Sequence, residues 1–328
     1  MTMFQKSLMA GSAALTLMLA ACTPGEGADA PAEPVADDPA AEAPSDPVDE
    51  AREDIPPLGQ PALWTVADED TTIHMFGTVH ILKPETEWQT DELDAALDAA
   101  DAIYFEADVL SEEAALQMAT LVPQLGVFTD GTTLSSLLDE GQLKEVEEAA
   151  AIVGVPMAAI EPLKPWLATV QMSVLGLQQQ GYDAGSGVEV ILTQFADEND
   201  LETRFLETAE EQLQFFAGLP MEDQVDFLVT SSIQIEDSPT MLDDLVEEWA
   251  TGDIDDLALI MSAPDVMGSD AVYDALLVDR NETWTTQIKG LLDAEAGTFV
   301  YAVGAAHLAG DDSVVAMLRA DGLEVTGP

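Results

Sequence analysis

Apolar positions along the chain recur with two different periods, and the alternation between them sorts the sequence into strands and helices. Residues 61–66 read as an early strand, Asp68-Glu69-Asp70 as a turn and 71–80 as a second strand, together a hairpin. Helical spacing follows over 90–100, where Thr90 suits an N-cap and Leu93, Ala96, Leu97 and Ala100 share a face. Residues 102–108 return to a strand. The stretch 111–159 is helical, with breaks expected at Pro123 and Gly126 and a restart after Asp130-Gly131-Thr132-Thr133. Lys164-Pro165-Trp166 leads into a helix over 167–179, and a glycine-rich turn separates it from another over 188–198. A short strand at 202–206 precedes helices over 209–231, 240–250, 254–261 and 270–292. A strand at 300–303, a helix over 311–321 and a strand at 323–326 close the chain. Strands interleaved with helices predict an α/β domain, a mixed central sheet flanked by helices.

Two distant stretches share one form. Residues 71–80 read TTIHMFGTVH, residues 297–307 read GTFVYAVGAAH, and each is a β-rich run closing on Gly-x-x-His. Gly77 and Gly304 are the expected backbone-turn residues, where glycine permits a sharp turn or a close approach. His80 and His307 then sit just past strand carboxyl ends, where open α/β sheets bind ligands. The third histidine, His74, lies within its strand on the face of Thr72 and Phe76 and reads as a satisfied strand residue. Glu106 ends the apolar strand 102–108, and a carboxylate there is costly unless a cation meets it. His80, Glu106 and His307 are therefore the candidate pocket, with Asp108 read as a solvated turn residue.

Composition narrows the partners. With 47% hydrophobic residues the chain is globular, yet 64 acidic residues against 9 basic ones leave a formal charge of -55. Nucleic acid is excluded as a partner, because phosphate binding needs clustered Lys and Arg. Against that background Arg280, in the helix upstream of the second histidine strand, stands out. It is either a surface ion pair of little energetic weight or a fixed cation aimed at the pocket.

The N-terminus carries an address. Lys6 precedes an apolar run over 8–20, too short for a comfortable membrane span, and Leu19-Ala20-Ala21-Cys22 has the form of a lipobox. Residues 1–21 resemble a bacterial lipoprotein signal peptide, with Cys22 as the lipidation site and Thr23 after it pointing to the outer membrane, facing the periplasm. As the lone cysteine, Cys22 leaves no internal disulfide. Residues 22–58, rich in Pro, Ala, Glu and Asp, cannot bury enough surface to offset ordering and read as a disordered linker. The folded domain is expected over 59–328.

Two neutral imidazoles and a carboxylate at strand ends can form a facial set around a divalent metal, whose bound water would ionise near neutral pH. Without metal the same groups can act on water as general base and acid. His-Glu-x-x-His, a cysteine cluster, Gly-x-Ser-x-Gly and a phosphate-binding glycine loop are all missing from the sequence.

Ordered matches along the chain carry a resemblance: Phe76-Gly77-Thr78-Val79-His80, Tyr104-Phe105-Glu106, Lys164-Pro165-Trp166, Gly181-Tyr182-Asp183 and Leu206-Glu207-Thr208 with Glu211-Gln212. Trp249 with Gly252-Asp253, Arg280-Asn281 with Trp284, and residues 303–308 continue it. From about Leu63 to Val325 the chain resembles the TraB/PrgY/GumN family, in its GumN-like bacterial branch, to which the Tiki metalloproteases are related. The resemblance implies an erythromycin-esterase/ChaN-like fold whose two halves each contribute a strand with Gly-x-x-His. It implies an active-site set of His80, Glu106 and His307, with Arg280 as a helper, and a divalent metal, manganese or cobalt, on the first three. A membrane-tethered, peptidase-like hydrolase is the expected function, and sequestration of a peptide or small ligand in the same pocket is the alternative. The expected partners are a peptide or protein substrate, the membrane holding the anchor and a second copy of the chain in a homodimer.

Overall fold

The computed structural model describes residues 60–237, 241–261 and 268–328. The signal segment, the lipidation site Cys22 and the linker lie outside the described residues. No helix among the described residues is long and apolar enough to cross a membrane.

The chain is an α/β domain built on one mixed sheet. Its strands are β1 (Leu63–Ala67), β2 (Thr71–Thr78), β3 (Ala102–Ala107), β4 (Glu202–Glu207), β5 (Gly297–Gly304) and β6 (Val325–Thr326), in the order β4-β3-β5-β2-β1-β6. The expected hairpin is present: β1 runs antiparallel to β2, with Thr65 opposite His74. β6 pairs antiparallel with β1, whereas β4, β3, β5 and β2 are mutually parallel. Parallel neighbours bring the carboxyl ends of four strands to one edge, although their sequences lie far apart.

Alternation along each strand explains the two layers that cover the sheet. Phe299, Tyr301 and Val303 of β5 join Ile73 and Met75 of β2 on one face. There they pack under Trp284, Ile288 and Leu292 of helix α12 (Asp279–Ala294) and Val314, Val315 and Leu318 of α13 (Val314–Ala320). Val300 and Ala302 of β5, with Ile103 and Phe105 of β3, face the larger core on the other side. That side is covered by α1 (Asp91–Ala99), α2 (Glu112–Gly126), α3 (Glu140–Ile152), α4 (Met157–Ile160), α5 (Pro165–Gln179) and α6 (Val188–Glu198). Helices α7 (Ala209–Ala217), α8 (Met221–Asp237), α9 (Met241–Thr251) and α10 (Ile254–Met261) extend the same core.

Local sequence sets most boundaries. The Thr90 hydroxyl accepts from the Leu93 N–H at 3.1 Å, the cap its residue type predicts. Helix α5 begins at Pro165, whose missing N–H costs nothing in a first turn. Two expectations differ. Pro123 does not break its helix: α2 continues through it for three more residues and ends at Gly126. The stretch read as one helix over 270–292 is α11 (Asp270–Tyr273), a π-helical turn over Asp274–Val278, then α12. Such π turns re-aim the side chains around them, and this one sits directly before Arg280.

Candidate functional site

The carboxyl edge of the four parallel strands gathers the candidate residues. His80 lies two residues beyond β2, Glu106 near the end of β3 and His307 in a 3-10 turn, Ala305–His307, directly after β5. A second acid, Glu207, ends β4. Arg280 reaches the same edge from the first turn of α12 and is 3% exposed, so it is the fixed interior cation and not a surface ion pair.

Arg280 joins these groups. Its Nε and Nη2 donate to the two oxygens of Glu207 at 2.8 and 2.9 Å, and Nη2 also donates to Glu106 Oε2 at 2.6 Å. Nη1 donates to the Leu276 carbonyl in the π turn at 3.1 Å and to His307 Nε2 at 3.1 Å. An arginine only donates, so His307 Nε2 must be the accepting nitrogen. Its Nδ1–H then donates to Asn281 Oδ1 at 2.6 Å, while the Asn281 amide donates to the Asp312 carbonyl at 2.7 Å. Burial first, then the charge of Arg280, holds His307 well below the ordinary histidine range, so the ring is neutral. Trp284 packs tilted against His307, ring centroids 4.3 Å apart, and lies 4.7 Å from the guanidinium. Burial pushes Glu207 above the usual carboxylate range, against the opposing charge of Arg280.

Glu106 is held at both oxygens. Gln212 of α7 donates to Oε2 at 3.1 Å and the Gly304 backbone N–H to Oε1 at 2.7 Å. Neither Gly77 nor Gly304 has a positive φ, so neither makes a left-handed turn. Gly77 serves close approach instead: a Cβ there would lie 2.9 Å from the Ala305 Cα.

His80 has a different environment. Its Nδ1 lies 2.5 Å from Glu189 Oε1, in the first turn of α6, and the Thr78 hydroxyl donates to the same oxygen. Nε2 is buried and makes no hydrogen bond with any described residue. Burial draws the ring's pKa down, but the charge and hydrogen bond of Glu189, helped by Glu106, prevail and hold it above 6.5. Gly187 makes the contact between α6 and this loop possible, since a Cβ there would overlap the His80 carbonyl. The Val188 N–H donates to the Val79 carbonyl at 3.0 Å alongside. Gly187→Ala is therefore expected to cost about 1–3 kcal/mol by forcing the two segments apart. Thermal unfolding would show this as a lower midpoint, and an unchanged midpoint would contradict the contact.

His80, Glu106, Glu189 and Gln212 line a cavity of about 270 Å³. Arg280 and His307 stand behind it: they hold Glu106 in place but do not line the space. His74 is elsewhere, bonded to the Thr65 hydroxyl at 2.9 Å, as a strand residue should be. Sequence reasoning did not single out Glu189, Glu207, Gln212 and Asn281 as site residues. Glu207 meets the criterion that found Glu106, an acid ending a strand. Gln212 and Asn281 sit in the motifs that carry the family resemblance. Glu189 gave no signal in one dimension, as one first-turn acid among many.

These contacts do not fit an ion gripped by His80, Glu106 and His307 together. His307 Nε2 already accepts from Arg280, and the same guanidinium clamps Glu106. Among the described residues, donor atoms gather within 4.8 Å of one another at Glu145, Glu148 and Glu236 and at Glu248, Asp253 and Asp256. These groups are acidic clusters outside the cavity's lining.

Comparison with known proteins agrees with the ordered motifs. YbaP of Escherichia coli, described as uncharacterized, is 24% identical over 261 residues, 79% of this chain and 92% of its own length. An uncharacterized protein of Treponema pallidum is 23% identical over 271 residues, 78% of this chain and 79% of its own. No solved structure matches. The model of the TraB/PrgY/gumN family matches residues 62–327, and the chain belongs to that family.

Proposed function

We propose that the domain is a hydrolase of peptide or other acyl bonds in which His80 activates water. The observation that carries this reading is the oriented imidazole of a residue that lines the cavity: Glu189 binds Nδ1 at 2.5 Å, while the buried Nε2 has no partner among the described residues. A histidine fixed at one nitrogen and free at the other is the arrangement general-base catalysis requires. Nε2 takes a proton from water as the water oxygen bonds to the substrate carbonyl carbon. The imidazolium, offset by the Glu189 carboxylate, returns that proton to the leaving group as the scissile bond breaks. Glu106, held by Arg280, Gln212 and the Gly304 N–H, supplies a fixed carboxylate beside the reacting atoms. Arg280 and His307 are positioning residues in this scheme.

No step is routed through a metal, and turnover of a peptide library is expected to survive a chelator. Turnover restored only by manganese or cobalt would replace this scheme with the metal-dependent one implied by the family resemblance. Tight binding without any turnover would favour sequestration. An erythromycin-esterase/ChaN-like ancestry with one Gly-x-x-His in each half belongs to the same reading. So does a lipid tether at Cys22, which would hold the enzyme at the outer membrane facing the periplasm.

The pH profile tests the base. Only neutral His80 can accept a proton, so the rate should rise with pH along a limb placed above 6.5. In Glu189→Gln the group that raises the pKa is gone while burial remains, so that limb should move to lower pH. An unmoved limb would remove His80 from the role of base.

A further inference from the structure

The cavity that holds His80 and Glu106 continues as a gap in the helical layer over β3 and β4. Phe105 and Phe205 are register partners on those strands and point to the same face, with ring centroids 6.5 Å apart. The layer buries Phe105 to 4% exposure but leaves Phe205 at 43%, so it stops short over β4. Val109 and Leu110 after β3, Met118 of α2 and Val190 of α6 complete the apolar wall, and Leu110 is 38% exposed as well. Large apolar side chains left open together on the covered face of a sheet mark a surface that binds something. Arg204, between Thr203 and Phe205, turns to the opposite face and donates to the Tyr104 hydroxyl at 2.8 Å, so β4 brings no cation to the wall.

The polar lining narrows the choice. No lysine or arginine lines the cavity. Glu106 is paired with Arg280 and Glu189 with His80, while Ser111 donates through its N–H and hydroxyl to Asp108 at 3.1 and 2.6 Å. Asp197 is exposed to water. Paired and solvated acids call for no further cation, yet they disfavour a ligand carboxylate. The volume, about 270 Å³, exceeds the roughly 150 Å³ that holds benzene in an apolar interior. That is room for a branched aliphatic or phenyl group beside a scissile carbonyl at His80.

We propose that this gap is the subsite for the side chain of the acyl residue, and that it takes a large neutral apolar one, leucine or phenylalanine in a peptide. The same cavity holds His80, whose Nε2 is buried without a partner among the described residues, so one ligand meets both the apolar wall and the base. The assignment rests on the hydrolase reading for the place of the carbonyl, but it is tested by binding alone.

The N-acetyl amides of leucine, glycine, lysine and glutamate would be titrated into the full chain and followed by NMR of isotope-labelled methionine methyls. Met118 lines the cavity, and Met118→Leu assigns its resonance. The leucine probe is expected to shift that methyl and to bind about tenfold more tightly than the glycine probe, with lysine weaker than leucine and glutamate weakest. Thr193→Phe, which puts a ring into the cavity from α6, should remove the preference by shutting leucine out. Phe205→Ser should cut it about threefold by taking away part of the wall. Leu116→Ser, at a position 67% exposed and outside the lining, should leave it as it is. Equal binding of the leucine and glycine probes, tightest binding of the lysine probe, or an unmoved Met118 methyl would overturn the proposal. So would a preference that survives both cavity substitutions, or one that Leu116→Ser lowers as much. Leucine preference in a chain that hydrolyses no peptide would refute the hydrolase and leave the subsite standing; hydrolysis without leucine preference would do the reverse.

Discussion

Arg280→Met is expected to destabilise the domain by about 3–5 kcal/mol, the largest single-residue effect the interior predicts. The substitution keeps much of the side chain's volume, so the loss comes from charge and hydrogen bonding more than from a cavity. Glu106 and Glu207 are 5% and 7% exposed, and the guanidinium is the cation that answers both. Removing it strands two carboxylates in a low-dielectric interior and leaves His307 Nε2 without its donor. The urea midpoint should fall with an unchanged slope, and a loss below about 1 kcal/mol would mean that the network contributes little.

The pH dependence of that loss gives an independent check. Burial already holds Glu207 above the usual carboxylate range against the charge of Arg280, so with the cation gone its native-state pKa should rise further above its unfolded value. The native state of the variant then binds more protons than the unfolded chain, so its stability falls as pH rises. The deficit against wild type should be smallest in acid and grow as pH climbs through the carboxylate range. Adding Glu106→Gln and Glu207→Gln to Arg280→Met should recover part of the loss at neutral pH, because the stranded charges are gone.

The network also shows what a single sequence discloses and what it withholds. Strands β2 and β5 are legible as β-rich runs, and their histidines mark the functional edge because parallel strands share a carboxyl end. Glu106 is legible as the acid at the end of an apolar strand. Glu207 meets the same test, but its strand alternates less clearly: Arg204 and Phe205 are both partly exposed, and Leu206 is the one buried apolar residue of β4. Arg280 could be read as either surface or interior. It is interior, and its Nη1 donates to the Leu276 carbonyl inside the π turn over Asp274–Val278, a turn that the helical periodicity of the sequence does not reveal. Glu189 is the hardest case. Its pairing with His80 depends on Gly187 packing against a loop more than a hundred residues earlier, a tertiary contact with no local pattern.

His80→Ala should abolish turnover by about 100- to 10,000-fold while leaving the fold intact, the largest catalytic effect expected of any position. The fold should survive because His80 lies beyond the end of β2, in a loop, and holds none of the core contacts that Phe76 or Ile81 makes. Its removal does leave Glu189 without its charged partner, but the Thr78 hydroxyl still bonds that carboxylate and the pair borders an open cavity that water can fill. His307→Ala separates the two histidines. It breaks the bond from Arg280 Nη1 and the contact with Trp284, so it should lower stability together with rate. If His80 is the base, the two variants must differ in kind: His80→Ala loses rate at constant stability and without a pH limb above 6.5. His307→Ala should keep the limb with a reduced maximum, because its effect on chemistry passes through Arg280 and Glu106. A His80→Ala protein that retained wild-type turnover, or a His307→Ala protein that lost the limb and kept its full stability, would exchange the roles assigned to the two imidazoles.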